Sequence, residues 1–209
     1  MPYKPEYAFD FLDTEASIKK SGGTSLPHWQ QQGVIYFVTF RLADSLPARQ
    51  LEKLREEKSH WLKTHPNPQS QAGKKEYARR FTEQTEIWLD QGFGSMLLGH
   101  PDAAQIVENA LLHFHRTRYW LDTYAIASNH VHVLVAPREP ATLSEILQSW
   151  KGFTARTLGK LATARSVSTF PTIWQKESFD HIVRSEKSLQ RFRKYILSHP
   201  TRFKESIPR

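Results

Sequence analysis

The chain has 209 residues, a net charge of +8 and a pI near 9.7, with 39% hydrophobic and 12% aromatic residues. That is enough for one domain with a sizeable core, and it excludes wholesale disorder. Cysteine is absent, which excludes disulfide scaffolds, thiolate metal sites and cysteine nucleophiles and fits a reducing, cytoplasmic setting. The longest apolar run, around Val34 to Phe40, falls far short of a membrane span, and no signal-peptide pattern opens the chain.

The charge is unevenly placed. Residues 1–137 carry 15 Lys/Arg against 15 Asp/Glu, whereas residues 138–209 carry 14 against 6. A basic excess confined to the last third points either to a phosphate-binding face or to a solubilising surface.

Residues 1–27 mix charges with Gly22, Gly23 and Pro27 and show no period, so an unpacked N-terminal arm is expected there. Residues 28–209 then form one domain. Val34–Leu42 is rich in β-branched and aromatic residues and is the first strand. The charged stretches 47–65 and 74–91, separated by Pro66 and Pro68, predict a solvated helical hairpin inserted at about 47–91 and closed by Gly92 and Gly94. Ala103, Ile106, Val107, Ala110, Leu111 and Phe114 follow helical spacing from Pro101 to about Arg116. Two strands follow, Tyr119–Ala127 and His130–Ala136, turning at Ser128-Asn129. Leu143, Ile146, Leu147, Trp150, Phe153 and Leu161 mark a long amphipathic helix. A short strand at Phe179–Val183 and a helix from Ser185 to His199, stopped by Pro200, complete the pattern. With the hairpin set aside, the order is β-α-β-β-α-β plus a helix. The expected fold is α+β: a ferredoxin-like antiparallel sheet with helices on one face and a C-terminal helix carrying Tyr195.

Two His-x-His triplets occur. His113-Phe114-His115 lies in a helical pattern, where residues two apart diverge by about 200°. His130-Val131-His132 lies in a strand pattern, where alternate side chains share a face at roughly 6.5–7 Å spacing. That second pair can converge on one divalent cation or stand as two solvated strand histidines. On the final helix, Tyr195 and His199 are four apart and share a face. Either they are a rim residue and a C-terminal cap, or a nucleophile and a third ligand among the basic residues Lys187, Arg191, Arg193 and Lys194.

Three motifs occur in order: SNHVHVLVAP at 128–137, IWQKESFDHIVR at 173–184 and YILSHP at 195–200. Over roughly residues 28–204 the chain resembles the REP-associated tyrosine transposases, relatives of the single-tyrosine HUH transposases of insertion sequences. The resemblance implies a metal-dependent endonuclease and strand transferase acting on single-stranded, hairpin-forming DNA. His130 and His132 would hold the divalent metal ion, and Tyr195 would attack the strand to give a 5′-phosphotyrosine. The position four after the tyrosine, usually Asn or Gln, is His199 here. As a third metal ligand it would favour Mn²⁺ over Mg²⁺. Ala127-Ser128 also replaces a Met-Pro common in relatives.

A phenol with a pKa near 10 needs help to ionise. No side chain stands out in the sequence as a general base, which leaves the metal and the cluster of Arg191, Arg193 and Lys194 as sources of that help. Lys151, Arg156, Lys160, Arg165 and Lys176 are further candidates either for phosphate contacts or for plain solvated charge, and Trp174 and Gln175 for an unpaired base, with a structural Trp174 the alternative. Lys19 and Lys20 on the arm are candidates for flanking DNA by resemblance alone. The resemblance implies a monomer, as for REP-associated relatives, or a dimer, as for the insertion-sequence relatives. The alternatives are a non-catalytic hairpin-DNA-binding protein and an RNA-binding module of the same topology.

Overall fold

The computed structural model describes residues 9–13, 19–21, 28–65, 70–167, 171–201 and 203–207. β-Branched and aromatic residues build the interior strand Tyr36–Arg41 (β3), which follows a small ribbon of Lys19–Ser21 (β1) and His28–Gln30 (β2). Tyr119–Ile126 (β4), His130–Pro137 (β5), Phe179–Ile182 (β6) and Lys204–Ser206 (β7) complete the strands. The main sheet runs β6-β3-β5-β4-β7, with each neighbouring pair antiparallel. Its first four strands have the expected ferredoxin-like order. The sequence did not predict β7, because three polar residues carry no hydrophobic period. It forms by covering the backbone edge that β4 would otherwise expose.

The pleat divides the core in two. Tyr36, Val38 and Phe40 of β3 and Val131, Val133 and Val135 of β5 face the helices Pro101–His113 (α4) and Leu143–Ala164 (α5). Thr142 and Glu145 close a capping box at the start of α5, satisfying backbone donors that would otherwise lack partners. Phe37, Leu134 and Ala136 face the other way, onto Leu189 and Ile196 of the helix Glu186–Ser198 (α6). The even-numbered residues of β5 therefore point at the tyrosine helix. A register shift between Leu121 and Thr123 accompanies a second tie to α6. Arg193 donates two bonds, at 2.8 and 2.6 Å, to the buried carboxylate of Asp122.

The insertion consists of Ala48–Thr64 (α1), Gln71–Tyr77 (α2), a π-helical stretch at Ala78–Glu83 and Gln84–Asp90 (α3). It is less solvated than its cancelling charges suggested. Leu54, Trp61 and Phe81 form an apolar core of their own. Its last turn is pinned to the β4–β5 turn, where Asn129 Nδ2 donates to Leu89 O at 3.2 Å and to Phe93 O at 3.1 Å. Gly94 closes the insertion at φ +88°, and a Cβ there would run into the backbone of Asp44. Only glycine fits such a turn.

The expected arm is corrected in part. Phe9 is buried, Ile35 N–H donates to Asp10 O, and Leu12 N–H donates to Val183 O. A packed segment therefore lies within the stretch expected to be unpacked. The remainder of 1–27, apart from β1, and the breaks expected at Pro66 and Pro68 lie outside the described residues.

Trp174 belongs to the core. It is 5% exposed and packs edge-on against Phe40, and its indole N–H donates to Thr154 at 2.9 Å. The chain of bonds continues from Thr154 to Trp150 O at 2.6 Å, from Trp150 Nε1 to Tyr119 Oη at 2.9 Å, and from Tyr119 to Leu111 O at 2.8 Å. It links α5, β4 and α4 through side chains that have no water to turn to. Trp174→Ala should therefore lower unfolding free energy by about 3–5 kcal/mol, measured by urea denaturation. Lys176→Ala, at an exposed position two residues on, should change it by less than about 0.5 kcal/mol.

Candidate active site

β5 presents His130 and His132 on its α6-facing side, and both are buried. Their protons are placed by their neighbours. Asn129 uses its amide N–H groups on Leu89 and Phe93, so its Oδ1 accepts from His130 Nδ1 at 2.7 Å. Thr39, opposite His132 in register, donates its single hydroxyl proton to Glu86 Oε1 at 3.2 Å. Its oxygen therefore accepts from His132 Nδ1 at 2.9 Å. Each ring thus carries its proton on Nδ1, and the two Nε2 lone pairs face each other at 3.0 Å. Two acceptors at that distance repel unless a positive charge lies against both.

His199 completes the group. Its Nε2 lies 3.1 Å from Asp90 Oδ1. A carboxylate only accepts, so Nε2 bears the proton. Nδ1 is left as a buried lone pair with no hydrogen-bond partner among the described residues. One nitrogen from each of the three rings lies within 4.8 Å of the others. Burial first, and then the neighbouring His199, pushes the His130 pKa down to about 3. Burial also drives His132 well below the usual imidazole range, followed by His130 and His199. Neutral imidazoles with inward lone pairs are the form that binds a metal. The residues fit a divalent cation.

Tyr195 comes from α6. Its hydroxyl donates to Glu86 Oε2 at 3.1 Å and lies 3.4 Å from His132 Nε2. Its ring rests edge-on against Phe37. Burial, and then the carboxylates of Glu86 and Asp90, pushes the phenol pKa above its usual value. This corrects an expectation: the groups nearest the tyrosine oxygen are carboxylates and imidazoles, and Arg193 is committed to Asp122. Glu86 is itself raised to about 7 by burial, although its bonds to Tyr195 and Thr39 pull it down.

Glu86 and Asp90 were missed by sequence reasoning, together with Asn129 and Thr39. The two acids lie four apart on one face of α3, and that spacing was the available signal. Nothing local says that this face docks on the histidine strand. A cavity of about 280 Å³ opens beside His130 and His199, walled also by Asp90, Ser128 and Thr201.

The remaining candidates divide. Arg156, Lys160, Lys176, Arg191 and Lys194 are exposed, and the Arg191 guanidinium lies over Phe192. Lys151 is half-buried and donates to Lys176 O at 2.8 Å, and Gln175 is held by its backbone N–H on Arg41 O. Arg165 pairs with Asp102 at 2.7 Å. Trp174 is enclosed, which selects its structural alternative over stacking on a base. Lys19 and Lys20 lie on β1, and their side chains lie outside the described residues. The other triplet is no site: α4 ends at His113, and His115 Nδ1 accepts the Leu121 N–H.

Residues 103–199 match the family model described as IS200-like transposase. Over that stretch the chain is similar to IS200-like transposases. The match runs from α4 to His199 and takes in both histidines of β5 and the tyrosine helix, in line with the resemblance carried by the three sequence motifs. A comparison with curated proteins finds no match. Among solved structures, a REP-associated tyrosine transposase bound to a REP hairpin matches at 15% identity and a TM-score of 0.46, over 83% of this chain and 70% of that one. A provisionally assigned transposase from Deinococcus radiodurans matches at 12% identity and a TM-score of 0.32, over 86% of this chain and 96% of that one. No helix among the described residues is long and apolar enough to cross a membrane.

Arg193→Ala should cost about 3 kcal/mol of stability, because Asp122 stays buried without its two charged bonds. A thermal or urea melt checks this. Weaker DNA binding with unchanged stability would instead mark Arg193 as a phosphate contact.

Proposed function

We propose that the protein cleaves and rejoins single-stranded, hairpin-forming DNA through a covalent link to Tyr195. The observation that supports this most is the tyrosine hydroxyl, 3.4 Å from one of two imidazole nitrogens whose lone pairs face each other at 3.0 Å. Such a pairing suits a nucleophile beside a cation-stabilised phosphate. The similarity to IS200-like transposases over residues 103–199 supports the same reading.

In this reading His130, His132 and His199 hold a divalent cation, Mg²⁺ or Mn²⁺. When bound, it supplies positive charge to a non-bridging oxygen of the scissile phosphate. Tyr195 Oη attacks phosphorus in line with the 3′-oxygen. The P–O3′ bond breaks, and a 5′-phosphotyrosine and a 3′-hydroxyl form. The phenol proton leaves along its bond to Glu86 Oε2, and the departing 3′-oxygen takes a proton from solvent water, whose hydroxide is neutralised by the proton that Glu86 releases. Because the phosphoester is conserved in the covalent link, rejoining by the reverse attack needs no nucleotide cofactor. Glu86 also aims the phenol, since its other oxygen is fixed by Thr39. The exposed Arg156, Arg191 and Lys194 are available to strand phosphates, and the cavity beside His199 leaves room for the strand.

The test is a denaturing gel with end-labelled hairpin DNA carrying single-stranded flanks, in Mn²⁺ or Mg²⁺. Wild-type protein should give a covalent adduct that EDTA abolishes and that Tyr195→Phe lacks while still binding the DNA. Adduct formation by Tyr195→Phe, or none by the wild type in either metal, overturns the reading. Glu86→Gln keeps the shape but removes the proton acceptor. It should slow adduct formation about a hundredfold with unchanged DNA affinity, measured by single-turnover kinetics. His130→Ala should abolish both the adduct and the rise in melting temperature that saturating Mn²⁺ produces in the wild type.

A further inference from the structure

The segment with no net charge contributes an unexpected basic group. Thr39 and His132 are opposite one another in register, as are Arg41 and His130. The alternation of β3 places Arg41 on the same face as Thr39, beside the histidines. Arg41 is half-buried, and its guanidinium donates to Ser45 Oγ at 2.9 Å. Three further cations interact electrostatically with it, and the loop that Lys151 bonds at Lys176 O is itself tied to Arg41 O through Gln175 N–H. Arg55 and Lys58 come from α1 of the insertion, and Lys151 comes from α5. Lys58 Nζ lies over the rings of Tyr77 and Phe81, 5.8 and 5.9 Å from their centres. Lys151 Nζ is directed to the 176–178 loop by bonds to Lys176 O and Ser178 Oγ. Among the described residues no ion pair joins Arg41, Arg55 or Lys58 to a carboxylate.

These charges act on one another. Burial, then Arg55, lowers Arg41 to about 10. Burial, then Arg41, lowers Lys58. Burial brings Lys151 down to about 8, with Glu177 opposing and Arg41 adding to the fall. Gathering like charges from three separate elements is unfavourable unless an anion joins them. Arg41 stands opposite His130 in register, and that position says which anion. A strand whose scissile phosphate lies between Tyr195 and the histidines must carry its neighbouring phosphates past Arg41.

We propose that Arg41, Arg55, Lys58 and Lys151 seat the phosphodiester backbone of single-stranded DNA next to the scissile position, with the helical insertion as one wall of the channel. The proposal rests on the DNA-cleaving reading above and gives the insertion a role in that reaction. The insertion then presents two faces to the substrate: Glu86 and Asp90 at the reacting atoms, and Arg55 and Lys58 at the flanking phosphates.

The test is the salt dependence of binding to a labelled single-stranded hairpin oligonucleotide, for full-length wild type and the Arg55→Gln/Lys58→Met double variant. Methionine keeps the apolar stem over Tyr77 and Phe81, and a thermal melt confirms that both proteins are folded. Removing one cation from a single-strand phosphate should lessen the slope of log affinity against log salt by about 0.7. The double variant should therefore be shallower by about 1.4, while Lys63→Gln, on the exposed end of α1, should match the wild type. An unchanged slope in the double variant overturns the proposal, as does an equal fall in Lys63→Gln. Adduct formation at Tyr195 reports separately on the proposed reaction. An adduct with an unchanged slope removes only the phosphate seat, and neither binding nor adduct by the wild type removes both.

Discussion

The site depends on an electrostatic conflict that the fold sets up and leaves standing. Two neutral imidazoles are buried on one face of a strand with their protons turned outward, so two lone pairs meet at 3.0 Å. Asn129 and Thr39 enforce that orientation, and each is held by a partner of its own in α3 or in the loop that follows it. A third buried lone pair, on His199 Nδ1, has no partner among the described residues. Buried acceptors without donors are costly, and a cation shared among the three would relieve all of them together. Tyr195, Glu86 and Asp90 are arranged around that unsatisfied centre.

The insertion is a working part of this arrangement. Its apolar core of Leu54, Trp61 and Phe81 makes it stiff enough to hold α3 against the sheet. Glu86 fixes the tautomer of His132 through Thr39 and receives the hydroxyl of Tyr195. Asp90 orients His199 in the same manner. Second-layer carboxylates that orient metal-competent histidines are a general device, and here they arrive from a segment separated by about 40 residues from the strand they serve.

Charge was a coarse guide to this surface. The excess in the last third pointed toward α5 and α6, yet several of those cations have internal duties. Arg193 ties α6 to the bulge of β4 through Asp122, and Arg165 pairs with Asp102. In the neutral part, by contrast, Arg41, Arg55 and Lys58 have no carboxylate among the described residues. A segment's net charge counts residues, whereas an anion responds to which cations remain unpaired once the chain has folded.

Local periodicity was enough to place the helices and the four longer strands of the main sheet, though not β1, β2 or β7, since alternation and helical spacing are properties of neighbouring residues. It assigned His130 and His132 to one strand face with Val131 and Val133 behind them, separated them from His113 and His115, and put Tyr195 one turn from His199. Those relations follow from pleat and pitch alone. The contacts of Glu86 with Thr39 and Tyr195, of Asp90 with His199, and the enclosure of Trp174 join residues 20 to 109 positions apart. No local pattern records them, because the contacts of Glu86 and Asp90 exist only once the insertion and α6 close over one sheet face, and the enclosure of Trp174 only once α5 packs on the other. Through length, charge and spacing, the sequence by itself determined a cysteine-free α+β chain whose metal-competent groups are imidazoles. The tertiary structure decided which protons those imidazoles carry, which acids meet the tyrosine and which cations are left for a phosphate, because each of these depends on the nearest neighbour in space.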